Sequence, residues 1–373
     1  MSFSWLWYLS VIPALGFLIF VHELGHFLTA LRMGIRVEEF GFGYPPRMLT
    51  LFHYRGVPIT LNWLPLGGFV RMAGEEGNFD VEGSLTKAPP RRKIPVMAAG
   101  ALMNLLTAIV LFSVLAMVGQ PDYIGPVTIV EVLPGSPADG KLHPRDVILK
   151  VDGQPVDSPG TLRTLIDEKA GTEVTLDVQS VNAAGATELK TVRIRPRTQA
   201  ERGNNGALGV QIDVPSAAVR GTRYIDQLNP LAAIAAGISR TFSFLVQMLA
   251  GLGVLIASLF GLMQGPQGGM AGPIGITRMT GEIAQRGGLI SLLDWTAVLS
   301  VNLALINLLP LPALDGSRIV FALVEWARGG KKVPPEREAM VHAVGMMVLL
   351  GLMLVITFTD VRNWVGGHNA FGS

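Results

Sequence analysis

The residues Phe20–Ala30 read FVHELGHFLTA, and they continue a run, Trp5–Phe20 (WLWYLSVIPALGFLIF), that carries no charge. Extended through Thr29, the run has the length of a bilayer-crossing helix, for which about 20 apolar residues suffice. On a helix His22 and His26 lie one above the other on one face, so their imidazoles can hold one ion. Glu23 follows the first histidine and can reach a metal-activated water without being a ligand itself. H-E-x-x-H also arises by chance. However, three ionisable groups at the end of an uncharged span are costly without a compensating partner, and a metal ion supplies one. A secretory leader would show a basic start and a small-residue cleavage site, and neither precedes the motif.

Composition agrees with a membrane location. Of 373 residues 49% are hydrophobic and 16% charged, against about a quarter charged in soluble domains. A net charge of +2 and the lack of a Lys/Arg-rich tract give no sign of a nucleic-acid partner. With no cysteine, neither disulfides nor thiolate chemistry enter.

Hydropathy predicts about four transmembrane helices: the first within residues 1–31, the second over 94–118, the third over 295–327 and the fourth over 340–360. Asn302 and Asn307 interrupt the third, as residues facing a cavity or a neighbouring helix would. The segment 32–93 holds nine Lys/Arg and 328–337 holds four, so the positive-inside rule puts both in the cytoplasm. That leaves no place for a lone further crossing. The apolar segment 242–263, inside a linker over 201–294, is therefore expected to lie on the outer surface, to re-enter the membrane or to pair with another crossing, with the outer surface or re-entry preferred. The stretch 32–93 alternates and is cut by glycines, which predicts membrane-associated β-hairpins.

Residues 121–200 predict a soluble insert. PVTIVEV, DVILKVDG, VTLDVQSV and TVRIRP alternate at period two, as strands do, and TLRTLIDEKAG predicts a short helix capped at Gly171. The order VEVLPGSPADGKLHPRDVILKVDGQPV…TLRTLI resembles a bacterial PDZ domain, with Pro144-Arg145-Asp146 where members usually carry Gly-Asp. The resemblance implies an extracytoplasmic β-rich α+β unit that takes an extended peptide at a sheet edge. A plain steric cap is the alternative.

A catalytic zinc site uses three protein ligands and leaves one position for water. The extended motif with a third histidine fails, because Phe27–Met33 reads FLTALRM. Glu38, Glu39, Glu75 and Glu76 are candidates by chain distance. Asp315, in NLALINLLPLPALDGSRIV, is another, since the topology brings it to the depth of His22 and His26. The remaining histidines, His53, His143, His342 and His368, are expected to be interfacial side chains.

HELGH in a first span, NLLPLPALDG near a later one and a PDZ-like insert between them resemble the site-2 protease family, and in particular the bacterial regulator-of-sigma-E type with a single PDZ domain. That resemblance implies one zinc ion held by His22, His26 and Asp315, with Glu23 as general base. It implies that Asn307 and Pro310 serve substrate binding, and that Pro310 and Pro312 break the helix around the site. AAGALMN in the second span resembles the family's Gly-Pro-x-x-Asn pattern, with Ala101 in place of proline and Asn104 retained. AGPIGI, residues 271–276, is a further landmark. The implied activity is zinc-dependent cleavage of transmembrane substrates in the lipid bilayer of a bacterial cytoplasmic membrane, with the active site toward the cytoplasm. The implied substrates are single-pass proteins already cut by another protease, such as anti-sigma factors, or signal-peptide remnants. A non-catalytic metal-binding transporter or PDZ scaffold is the rival reading, and it gives no task to Glu23.

Overall fold

The computed structural model describes residues 4–74, 81–181, 187–202, 206–215, 218–262 and 272–365. Glu75, Glu76, His368 and the start of AGPIGI lie outside them. The chain forms two compact units, one of Met1–Leu115 with Asn229–Ser373 and one of Ala116–Leu228.

In the first unit, a 3₁₀ turn (Ser4–Ser10) leads into α1 (Val11–Arg32), followed by the strands β1 (Val37–Tyr54) and β2 (Val57–Met72) and by α2 (Pro90–Val118). Buried Phe27, Ala30, Ile35, Phe40, Ile59, Met72, Val96 and Met97 join α1, the strands and α2 in one apolar core. β1 and β2 are bent so that Phe40, Gly41 and Phe42 stand opposite Val70, Phe69 and Gly68, and also opposite Ile59, Thr60 and Leu61. The outer segment Leu49–Phe52 pairs with Ile59–Leu61 from the other side, and here the hairpin exposes Met48, Leu51 and Phe52, with Trp63 exposed as well. An apolar edge of this kind is compatible with lipid and costly in water. Its base is held by Glu39, which is buried and receives Arg47 at 2.8 Å and the Thr60 hydroxyl at 2.8 Å.

Helices longer than expected complete this unit. Of the segment predicted as a surface or re-entrant stretch over 242–263, residues 242–259 are the C-terminal part of a continuous helix, Pro230–Leu259. Asn229 caps its start by accepting from the Ala232 N–H at 3.0 Å, and proline at the first helical position favours initiation there. About 45 Å of helix results at 1.5 Å per residue, and among the described residues five helices, against the four expected, are long and apolar enough to cross a membrane. The next helix, Pro273–Leu308, contains a non-helical Gly288 at φ 61°. Trp295 Nε1 donates to Thr280 Oγ1 at 2.9 Å. Residues 15 apart on a straight helix would stand about 22 Å from each other, so the chain doubles back at Gly288. After Leu308 the helix stops, and a new one runs over Asp315–Ala327, so the segment expected as one helix over 295–327 is two with a loop between. The last helix is Pro335–Val365.

In the second unit, the strands Val127–Val132, Val147–Val151, Gln154–Pro155, Val174–Val181, Thr187–Ile194 and Val210–Asp213 form one antiparallel sheet. The strand Val210–Asp213, beyond the expected limit of 200, pairs with Val127–Val132. Val174, Leu176 and Val178 are fully buried at alternate positions, the pattern of a strand with one face on a core. Ile129, Ile148, Leu162 and Ile166 complete that core. The helix Pro159–Glu168 is capped by Ser158, whose hydroxyl accepts from the Thr161 N–H. A separate two-stranded ribbon pairs Gln120–Ile124 with Gly221–Ile225. Asp122 on this ribbon is buried and receives Arg223 Nη2 at 2.9 Å, Ser158 Oγ at 2.7 Å and the Gly160 N–H at 2.8 Å.

Candidate metal centre

His22 lies 11 residues before the end of the apolar span Leu6–Met33, so about 16 Å of helix follows it. The histidines are thus well inside the span. His22 and His26 are both buried, and their Nε2 atoms are 3.1 Å apart. Asp315, the first residue of the helix Asp315–Ala327, brings Oδ2 to 3.0 Å from His22 Nε2 and 3.1 Å from His26 Nε2. A tetrahedral ion with bonds of about 2.0–2.1 Å holds its ligand atoms about 3.3 Å apart. The three atoms already stand close to that spacing, with two imidazoles and one carboxylate as the donor set. Among the described residues, this is the one group of three such ligands.

The second helix closes the site. A Cβ on Gly100 would stand 2.5 Å from His26 Nε2 and 2.6 Å from His22 Nε2, so only the bare backbone leaves space in front of the imidazoles. One turn earlier, the Val96 carbonyl accepts from His26 Nδ1–H at 2.7 Å. This leaves the Nε2 lone pair of His26 facing His22 Nε2 and Asp315 Oδ2. Asn104 is fully buried, with its carboxamide 3.2 Å from His22 Nδ1. The amide oxygen, otherwise buried without a partner, serves His22 in the same way when it faces Nδ1–H. Gly25 permits this approach of the two helices, since a Cβ there would stand 2.5 Å from the Ala99 carbonyl oxygen.

Glu23 turns toward the strands, and its Oε2 accepts the Val70 N–H at 3.2 Å. It lies near both imidazoles and Asp315. Glu38 is exposed and Glu39 is tied to Arg47, Arg71 and Thr60, so neither joins the cluster. Hydrogen bonds outweigh the burial of Glu39 and hold its carboxyl below the usual carboxylate range. Asn307 is half-buried in the last turn of its helix and Pro310 is exposed in the loop that follows. No described contact joins either of them to the three ligands.

Sequence reasoning did not find the roles of Gly100 and Val96, which lie within and just before AAGALMN. The signal was available in the four-residue spacing of Gly100 and Asn104, which matches that of His22 and His26. It also missed the partner of His342, which accepts the Ala313 N–H through Nδ1 at 2.9 Å.

The model of peptidase family M50 matches residues 10–352. A Clostridium perfringens chain provisionally named a zinc metalloprotease is 33% identical, over 93% of this chain and 96% of that one. The chloroplastic membrane metalloprotease ARASP of Arabidopsis thaliana is 33% identical over 94% of this chain and 78% of its own length. The zinc metalloprotease RasP of Geobacillus kaustophilus is 27% identical, over 95% of this chain and 98% of its own. Among solved structures, a PDZ domain of an SdrC-like protein from Listeria innocua covers 24% of this chain and 96% of its own, at 23% identity and a TM-score of 0.21.

Proposed function

The chain belongs to peptidase family M50, the zinc metalloproteases of the membrane, and on that premise we propose that His22, His26 and Asp315 hold a single zinc ion at which Glu23 acts as general base. The protein is a zinc-dependent endopeptidase whose substrates are membrane proteins in the bilayer. The observation that carries the site assignment is the convergence of three ligand atoms, from helices nearly 300 residues apart in sequence, to within 3.1 Å of one another.

When bound, the ion supplies a Lewis acid that brings water into the range where it loses a proton near neutral pH. Glu23 takes that proton as the water attacks the scissile carbonyl and delivers it to the leaving amine. The Val70 N–H holds one oxygen of Glu23 and leaves the other for the proton. Val96 and Asn104 keep the imidazole lone pairs aimed at the ion, while Gly100 keeps the space open.

A peptide bond in a helix hides its carbonyl, so the substrate must be extended before attack. An extended segment would pair along Gly67–Val70 of β2, beside Glu23, as an added strand. Asn307 would then hold the substrate backbone, and Pro310 would shape the mouth of the site. The β-rich unit lies outside the bacterial cytoplasmic membrane and acts as a PDZ-type reader or filter of substrates shortened by an earlier cut. The active site opens toward the cytoplasm.

The test is Glu23→Gln in protein reconstituted into liposomes with a tagged single-pass substrate. The variant is expected to keep its zinc and to lose cleavage by about 10²- to 10⁴-fold. Cleavage at the wild-type rate would remove Glu23 from the mechanism.

A further inference from the structure

The loop from Leu309 to Leu314 decides where Asp315 stands, yet it has little to hold itself. Pro310 and Pro312 carry no N–H. The Leu309 N–H bonds back to the preceding helix, Leu311 N–H to the Leu309 carbonyl at 2.7 Å, and Leu314 N–H to the Leu311 carbonyl at 3.2 Å. The remaining donor is the Ala313 N–H, on a residue at φ 72°, a conformation that L-residues other than Asn and Asp rarely adopt. It is satisfied from outside the loop, by His342 Nδ1 at 2.9 Å. Three residues on, Gly345 packs against the Pro312 ring, where a Cβ would collide with it. Phe321 flanks the imidazole, with ring centroids 5.7 Å apart.

The helix that carries His342, Pro335–Val365, is otherwise broadly exposed: Met347 and Val348 are each 65% and Leu354 70% accessible. A helix facing lipid needs no histidine, and polar groups at membrane depth turn toward protein. On the same helix, Asp360 accepts the Gly272 and Gly275 N–H groups. We propose that His342 is a positioning residue of the metal centre: by accepting the Ala313 N–H, with Gly345 packed on Pro312, it fixes the loop that presents Asp315 to the two imidazoles. The proposal rests on Asp315 being a zinc ligand, and deepens that reading by adding the last helix to the site. Asp315 carries the ligand and His342 touches neither metal nor substrate.

The test compares His342→Leu, which removes the acceptor, with His342→Asn, whose carboxamide oxygen stands close to the place of Nδ1. Two quantities are read in purified full-length protein: zinc affinity by competition with a chelator, and hydrogen exchange of the peptide 309–317 in the metal-free state. His342→Leu is expected to bind zinc about 10- to 100-fold more weakly, the usual effect of losing a support behind a ligand, and to exchange faster in that peptide. His342→Asn is expected to restore both to near wild type. Wild-type affinity and exchange in His342→Leu would overturn the proposal. So would an asparagine variant as impaired as the leucine one, since packing rather than the hydrogen bond would then hold the loop. If Asp315→Asn left zinc affinity unchanged, the ligand assignment would fail by itself, and the exchange measurement would still decide whether His342 holds the loop.

Discussion

Gly100 shows how much one missing methyl group governs at this site. Alanine is the better helix former by about 1 kcal/mol, so Gly100→Ala strengthens the second helix as a helix. Its Cβ, however, would stand about 2.5 Å from ring atoms of both histidines, closer than real carbons approach. Ligand geometry has to hold within roughly 0.5 Å, so the variant is expected to fold and to lose zinc affinity by about tenfold or more. Equilibrium dialysis against a zinc buffer checks this, and full affinity in the alanine variant would mean that the imidazoles do not face Gly100. Gly316 has a related task. A Cβ there would collide with the Leu308 and Leu309 carbonyls, so glycine after Asp315 lets the new helix start directly against the end of the old one.

Among the elements, the strands of the second unit carry the clearest electrostatic load. Asp146, 3% exposed, accepts from the His143 N–H at 2.9 Å, Ser180 Oγ at 2.6 Å and Lys190 Nζ at 2.8 Å. Burial raises its carboxyl, but these partners together outweigh it and hold the group below the ordinary range. In the unfolded chain the same carboxyl titrates near 3.9 and so takes up its proton first as pH falls. The stabilisation is therefore complete above about pH 5 and disappears as pH drops through the lower folded value. Asp146→Asn is expected to destabilise the sheet by about 1–3 kcal/mol at neutral pH and to flatten this acid dependence. Exchange protection of Val147–Val151 and Val174–Val181, corrected for intrinsic rates, measures both. An unchanged acid slope in the variant would acquit Asp146. The turn at Gly288 belongs to this scale too, since a helical pattern alone cannot announce that Trp295 returns to Thr280.

For the whole molecule, a zinc ion held as proposed by His22, His26 and Asp315 would tie the first helix to the helix Asp315–Ala327 within one compact unit. A ligand that binds only the folded state at 100 times its Kd stabilises by about 2.7 kcal/mol. Zinc removal by a chelator is accordingly expected to raise hydrogen exchange around Val21–Ala30 and Asp315–Ala322, and re-addition to reverse it. The sheet of the second unit, which has its own core, is expected to keep its protection. Equal loosening of both units would show that the ion is not a local tie.

Residues local in sequence determined much by themselves. The HELGH spacing, the uncharged run before it and the period-two strands of residues 126–196 follow from side-chain order along one helix or strand, because periodicity fixes which groups share a face. The pairing of these motifs with NLLPLPALDG pointed further, to Asp315. What only the tertiary structure decided lies between elements. The grouping of Asp315 rather than Glu38 or Glu39 with the two histidines, the Val96 carbonyl behind His26 and the His342 contact with Ala313 all depend on which surfaces come within hydrogen-bonding or van der Waals reach. Those forces act over a few ångströms between residues tens to hundreds of positions apart, so no local pattern in the chain records them.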